Sequence, residues 1–329
     1  MQGPTRVPQT PPPPDHDQTS VPRLRARVDS LKARWLLLPG NVRGMIWAAL
    51  GGVIFSVMTA LIKGTGQRIP VVQILFIRQV VMMLMMSPRI VRHPIESFRT
   101  ENLNLHVLRV FLAIISMLGG FTAMVYLPLT DAVTISFSRA LFVALLAIII
   151  LKETVGIHRW LALVLGFIGV LICVQPSGEG VNIYSLIALG SACSVAMVVV
   201  IIRKLAQKEK LATVITYQAV GIGLALVVPA YVYWVPPTSA EWVGLILIGV
   251  LSVGGQTLNF AGFRVGEATA LASIDYLRLL YAVILGAIFF AEWPSVNTLV
   301  GAAIIVGASL YALHRERLHA RAQAAEAAD

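Results

Sequence analysis

Five ionisable side chains sit deep inside otherwise apolar stretches of the sequence: Arg78, Arg109, Arg139, Asp275 and Arg278. A charge in hydrocarbon costs on the order of 2.5–3.5 kcal/mol on insertion scales, so such groups turn toward a bundle interior or toward water. The Arg guanidinium is a planar fork of donors whose geometry matches a carboxylate or a phosphate. Four forks against a single Asp form a pattern suited to receiving an anion. Arg139 and Arg278 are the leading pair for that role. The sequence leaves open a second reading, in which each is neutralised by a neighbouring acid or by helix-end carbonyls. Asp275 and Arg278 are three residues apart and share one helix face, which favours an internal salt bridge over a proton-responsive carboxylate. Arg78 is either a third cavity cation or a donor to backbone carbonyls near Pro70. Arg109, near the start of its stretch, is expected to snorkel to lipid headgroups.

Uncharged polar residues in the same stretches are candidates for orienting a solute by hydrogen bonds. They are Gln79, Gln218, Gln256, Asn259, Ser138 and Tyr276. Taken singly, each is better suited to joining helices. Hydrolase and phosphate-loop signatures (G-x-S-x-G, H-E-x-x-H, G-x-x-x-x-G-K-[ST]) are missing, so no enzyme and no cofactor is expected. Cys173 and Cys193 lie in apolar runs and offer neither a disulfide framework nor metal spacing.

These residues need an apolar scaffold, and the composition supplies one. Of 329 residues, 57% are hydrophobic and 13% are charged, with a mean hydropathy of +0.80. A soluble fold cannot hide that much apolar surface. Ten apolar stretches run over 44–62, 71–87, 105–126, 131–151, 158–175, 181–202, 211–234, 242–262, 268–291 and 296–313. Each suits a hydrocarbon core of about 30 Å crossed at about 1.5 Å per residue, and helices alone satisfy their own backbone there. Residues 1–43 form a Pro-rich, basic tail with an interfacial segment, and 314–329 form a second tail. With both tails cytoplasmic, 20 Lys and Arg fall on that side and only Lys63 and Arg68 on the other. This bias sets the orientation. It also assigns the formal charge of +10 to cytoplasmic loops rather than to a nucleic-acid face.

The chain is also a duplication. Leu118-Gly119-Gly120-Phe121-Thr122 matches Val253-Gly254-Gly255-Gln256-Thr257, and Gln79, Arg139 and Glu153 match Gln218, Arg278 and Glu292, each at a spacing of 139. Five stretches per half is an odd number, so the halves enter the membrane from opposite sides, as in many secondary transporters. The segments Arg139–Glu153 and Leu279–Glu292, followed by Gly166 and Gly169 and by Gly301 and Gly307, resemble the fourth-to-fifth and ninth-to-tenth spans of EamA-type members of the drug/metabolite transporter superfamily. The resemblance covers about residues 44–313. It implies an inner-membrane carrier without an ATPase, with a cavity faced by the spans that hold Arg139, Gln256, Tyr276 and Arg278. The family pattern carries Pro where this chain has Ala140 and Leu279, so those two helices are expected to be stiffer.

The expectation is therefore an all-α polytopic membrane protein of two inverted five-helix repeats, 44–175 and 181–313. Its expected activity is alternating-access transport of a small metabolite bearing a carboxylate or phosphate. A lipid or isoprenoid flippase, or a membrane-embedded enzyme, is the alternative. The expected partners are the small-molecule substrate and the lipid bilayer, with no nucleic acid. Ala162-xxx-Gly166 and Ala303-xxx-Gly307 suit either packing within one chain or a homodimer contact.

Overall fold

The computed structural model describes residues 35, 38–92, 100–151, 157–174, 182–206, 209, 211–265, 271 and 274–326. The expected Pro-rich tail lies almost wholly outside them, as does Glu153. The described elements are helical: α1 (Gly40–Thr65), α2 (Val71–Arg92), α3 (Leu103–Tyr126), α4 (Leu129–Phe137), α5 (Arg139–Leu151), α6 (Ile157–Val174), α7 (Ile183–Ala206), α8 (Leu211–Val232), α9 (Ser239–Val265), α10 (Leu277–Phe290) and α11 (Val296–Glu326). Among the described residues, five stretches are long and apolar enough to cross a bilayer, and five shorter apolar helices complete the set of ten. We call the face where the described chain begins and ends the terminal face, and the other the far face.

The fourth span is two helices, not one. α4 ends and α5 begins around Ser138, whose hydroxyl donates to the Ile135 carbonyl at 2.6 Å. The matching point of the second half breaks at Tyr276, immediately before α10. A side-chain hydroxyl returning to the preceding turn competes with the helical ladder and permits a break without Pro.

Helix pairing displays the duplication. α1 packs on α9 and α10, while α7 packs on α3, α4 and α5. The first span of each half therefore lies against the third and fourth spans of the other half or their symmetry mates. α2 lies on α8, and α6 on α11, pairing second with second and fifth with fifth. Exchanging the halves leaves this pattern unchanged. Two mixed bundles result, one built around α1, α9 and α10, the other around α7, α3, α4 and α5.

The α6–α11 contact is a backbone approach. A Cβ on Gly301 would stand 2.7 Å from the Gly169 carbonyl oxygen, and one on Gly169 would stand 2.9 Å from the Gly301 oxygen. Backbone cannot yield as a flexible side chain can. We therefore expect Gly301→Val to destabilise the protein by roughly 1–3 kcal/mol. A clear fall in Tm of the purified protein would show it. An unchanged Tm would mean that α6 and α11 do not approach this closely.

Candidate functional site

The two helix breaks put the leading arginines at matched places. Arg139 is the first residue of α5, and Arg278 the second of α10. Asp275 lies between them. Arg139 Nη2 donates to Asp275 Oδ2 at 2.7 Å, and Arg278 Nη1 reaches Asp275 Oδ1 at 3.3 Å. The expected Asp275–Arg278 salt bridge is present, with Arg139 as a second claimant on the same carboxylate. Two guanidinium groups over one carboxylate leave a net positive charge. The side chains of Arg139 and Asp275 are 41% and 35% exposed, whereas Arg278 is 14% exposed. Arg278 also lies over the Phe55 ring at 4.0 Å, a cation–π contact that holds it on α1. Tyr276, at the break, packs on Phe137 with ring centroids 5.1 Å apart. The Arg139–Asp275 bond joins the two mixed bundles.

Arg78 is buried in α2. Its Nε donates to Ser252 Oγ at 2.7 Å, Nη1 points at Met117 Sδ at 4.0 Å, and its carbon centre lies 5.9 Å from the Phe121 ring centroid. None of these partners carries a negative charge. The expected alternative, carbonyls opened near Pro70, is not what it contacts. Arg78, Arg139 and Arg278 thus set three cations against Asp275, and Arg109 adds a fourth in α3.

Other polar candidates are drawn elsewhere. Arg109 does not snorkel: it is 1% exposed, donates from Nη1 to the Val214 carbonyl at 2.6 Å, and bonds Gln218 Oε1 through Nη2. It ties α3 to α8. Depth along the chain suggested the headgroups, but α8 covers that face of α3. Gln79 donates to the Ala219 carbonyl at 2.9 Å and ties α2 to α8. Gln256 is exposed and makes no contact with the arginines among the described interactions.

Sequence reasoning missed two charge nodes. At the far face, the apolar stretch 44–62 stops just short of Lys63, yet α1 continues through it. Lys63 is 5% exposed and bridges Glu292 Oε1 at 2.6 Å and the Leu127 carbonyl at 2.5 Å. Glu292 Oε2 accepts the Leu129 N–H at 3.0 Å, capping the start of α4. In the sequence, Glu292 stands at the end of the apolar stretch 268–291, a position suited to capping. Near the terminal face, Glu209 bonds Thr100 and Asn102 through Oε1 and His106 Nε2 at 2.6 Å through Oε2. The His106 ring is fully buried and stacks on Tyr217 at 4.4 Å. A cavity of about 520 Å³ lies between α1, α9 and α10, lined in part by Leu61, Gly64, Gly244, Phe289 and Phe290.

Comparison with known proteins adds a family. The profile of the EamA-like transporter family matches residues 42–175 and again 182–313. An S-adenosylmethionine uptake transporter of Rickettsia prowazekii is 30% identical over 279 residues, covering 84% of this chain and 94% of that protein. A riboflavin transporter of Brucella anthropi is 34% identical over 259 residues, covering 77% and 91%. A pseudopaline exporter of Pseudomonas aeruginosa is 27% identical over 272 residues, covering 81% and 94%. A solved crystal structure superposes with a TM-score of 0.56 at 16% identity, over 85% of this chain and 98% of that one, a likeness of fold.

The Glu209 node makes a pH prediction. Burial pushes its carboxyl up, but hydrogen bonds from Thr100, His106 and Asn102 outweigh burial and hold it at about 2. A folded value below the usual 4.5 stabilises the fold fully above about pH 4.5, and that stabilisation is lost as pH falls toward 2. The Tm of the parent should exceed that of Glu209→Gln at pH 5, and the gap should narrow on acidification below 4.5. A gap that persists undiminished at pH 3 would contradict this, as that lies well inside the carboxyl's titration range.

Proposed function

The chain belongs to the EamA-like transporter family and is a multi-pass membrane transporter of a small molecule; on that premise we propose that its solute carries a carboxylate or a phosphate. The observation that carries the reading is the central imbalance, Arg78, Arg139 and Arg278 against Asp275 alone. An anion arriving between the bundles supplies the missing negative charge. Arg139, the most exposed of the three arginines, is placed to exchange part of its bond with Asp275 for a bond to the solute. Arg278 supplies the second arm of the cradle and Arg78 a third positive charge. Tyr276, at the break beside Asp275, takes a secondary, orienting role, whereas Gln79 is engaged by the Ala219 carbonyl and Gln256 makes no described contact with the arginines.

The relatives named above support a small organic solute. S-adenosylmethionine ends in an amino-acid carboxylate, while riboflavin has none. The anionic class is therefore argued from the arginines and not from the relatives. Two inverted repeats supply alternating access, since each can adopt the conformation of the other. The Lys and Arg bias supports cytoplasmic termini in a bacterial inner membrane, which makes the terminal face cytoplasmic and the far face outer. Ala303 and Gly307 lie open on α11, and a Cβ on Gly307 would touch nothing within 4 Å. That stretch is where a second copy would pack.

Arg139→Gln and Arg278→Gln test the reading in proteoliposomes. Uptake would be followed for S-adenosylmethionine and for a panel of small carboxylates and phosphates. A charge-assisted hydrogen bond is worth about 1.5–3 kcal/mol, so transport of the accepted anion should fall roughly 10- to 100-fold in each variant. Unchanged uptake of that anion would contradict the assignment.

A further inference from the structure

We propose that the Lys63–Glu292 ion pair is the lock of the outer gate, closed in this structure, which must open for the solute to reach or leave the outer face. The proposal rests on the alternating-access reading above and adds the residues that hold one end shut.

The contacts run between the two mixed bundles rather than within either. Lys63 of α1 and Glu292, just past α10, belong to the first bundle. Their main-chain partners, the Leu127 carbonyl and the Leu129 N–H, belong to the α3–α4 corner of the second. The charge pair and the two backbone bonds therefore close one ring: Leu127 O to Lys63, Lys63 to Glu292, Glu292 to Leu129 N. Gln67, one turn beyond Lys63, adds a bond to the Val125 carbonyl at 3.2 Å. Packing alone does not require a buried lysine here. A lysine 5% exposed, held by one carboxylate, is a contact that loses its stabilisation all at once when the partners part. That behaviour suits a switch between two discrete states.

Two further features fit a moving part. Ala291, next to Glu292, has φ of 53°, and it is the only non-Gly residue with positive φ among the described residues. A β-carbon there is strained, and such strain concentrates at switch points. It turns the chain at the end of α10 so that Glu292 points back at Lys63. Beside it lies the cavity lined by Phe289 and Phe290, and the Lys63 ammonium sits 5.3 Å over the Phe290 ring. The end of α10 can shift into that space without displacing close-packed side chains.

Cysteine accessibility tests this without knowledge of the solute. The full chain, with Cys173 and Cys193 replaced by Ala, carries Thr59→Cys as reporter in intact cells. Thr59 is buried one turn below Lys63 on α1. Ala196→Cys, wholly buried on α7, is the control. A membrane-impermeant maleimide is added from outside. Glu292→Gln removes the charge but keeps an acceptor for Leu129, and Lys63→Gln removes the other partner. Either change should speed labelling of the Thr59 reporter about tenfold or more, while the Ala196 reporter stays protected. Equal rates with and without the lock substitutions would overturn the proposal. So would faster labelling of both reporters, which would mark general loosening. Failure here leaves the anion cradle standing, because labelling does not depend on what is carried; failure of the Arg139 and Arg278 uptake test leaves the lock standing.

Discussion

A full positive charge cannot be left bare in hydrocarbon, and the way each buried cation is compensated sorts the molecule into scaffold and site. Arg109 is satisfied by a carbonyl and an amide oxygen, neutral partners that fix α3 against α8. Lys63 meets a carboxylate and a carbonyl at one face. Arg139 and Arg278 divide a single carboxylate, and Arg78 has a hydroxyl, a sulfur and a ring. Arg78 and Arg109 thus meet neutral partners alone, and Arg139 and Arg278 share one negative charge, but Arg109 is locked between α3 and α8 whereas Arg139 is the most exposed of the four. On the reading proposed above, an anionic solute completes that charge.

The duplication turns this chemistry into a mechanism. Because each bundle borrows helices from both halves, the interface between bundles passes through the centre of the molecule. Arg139 and Asp275 approach across it, one from each half. The same interface is bridged at the far face by Lys63 and Glu292. A contact at the centre and a contact at one end thus lie on one interface. In the proposed reading, solute binding at the centre competes for Arg139 and so bears on the same surface that the end contact holds.

Spans and repeats were legible because hydrocarbon thickness and Lys/Arg placement are written in local composition. The motif at Arg139 and its copy at Arg278 were legible for the same reason, being spaced repeats within apolar runs. The break at Ser138 was not, because a hydroxyl returning to its own turn looks like any serine in an apolar run. Arg109 misled because its distance from a span end says nothing about which neighbour covers it. Lys63 and Glu292 are 229 residues apart in the sequence. Only the packing of α1 beside α10 brings them together.

The central claim is that the cradle recognises negative charge. A thermal-shift screen of the purified full-length protein tests it most directly, pairing each small acid with its uncharged amide or ester. A binder raises Tm by mass action whatever the direction of transport. The account predicts that acids stabilise the protein, that their neutral counterparts do not, and that the shift disappears in Arg139→Gln. Stabilisation by neutral counterparts equal to that by the acids, or a shift that survives in Arg139→Gln, would contradict it.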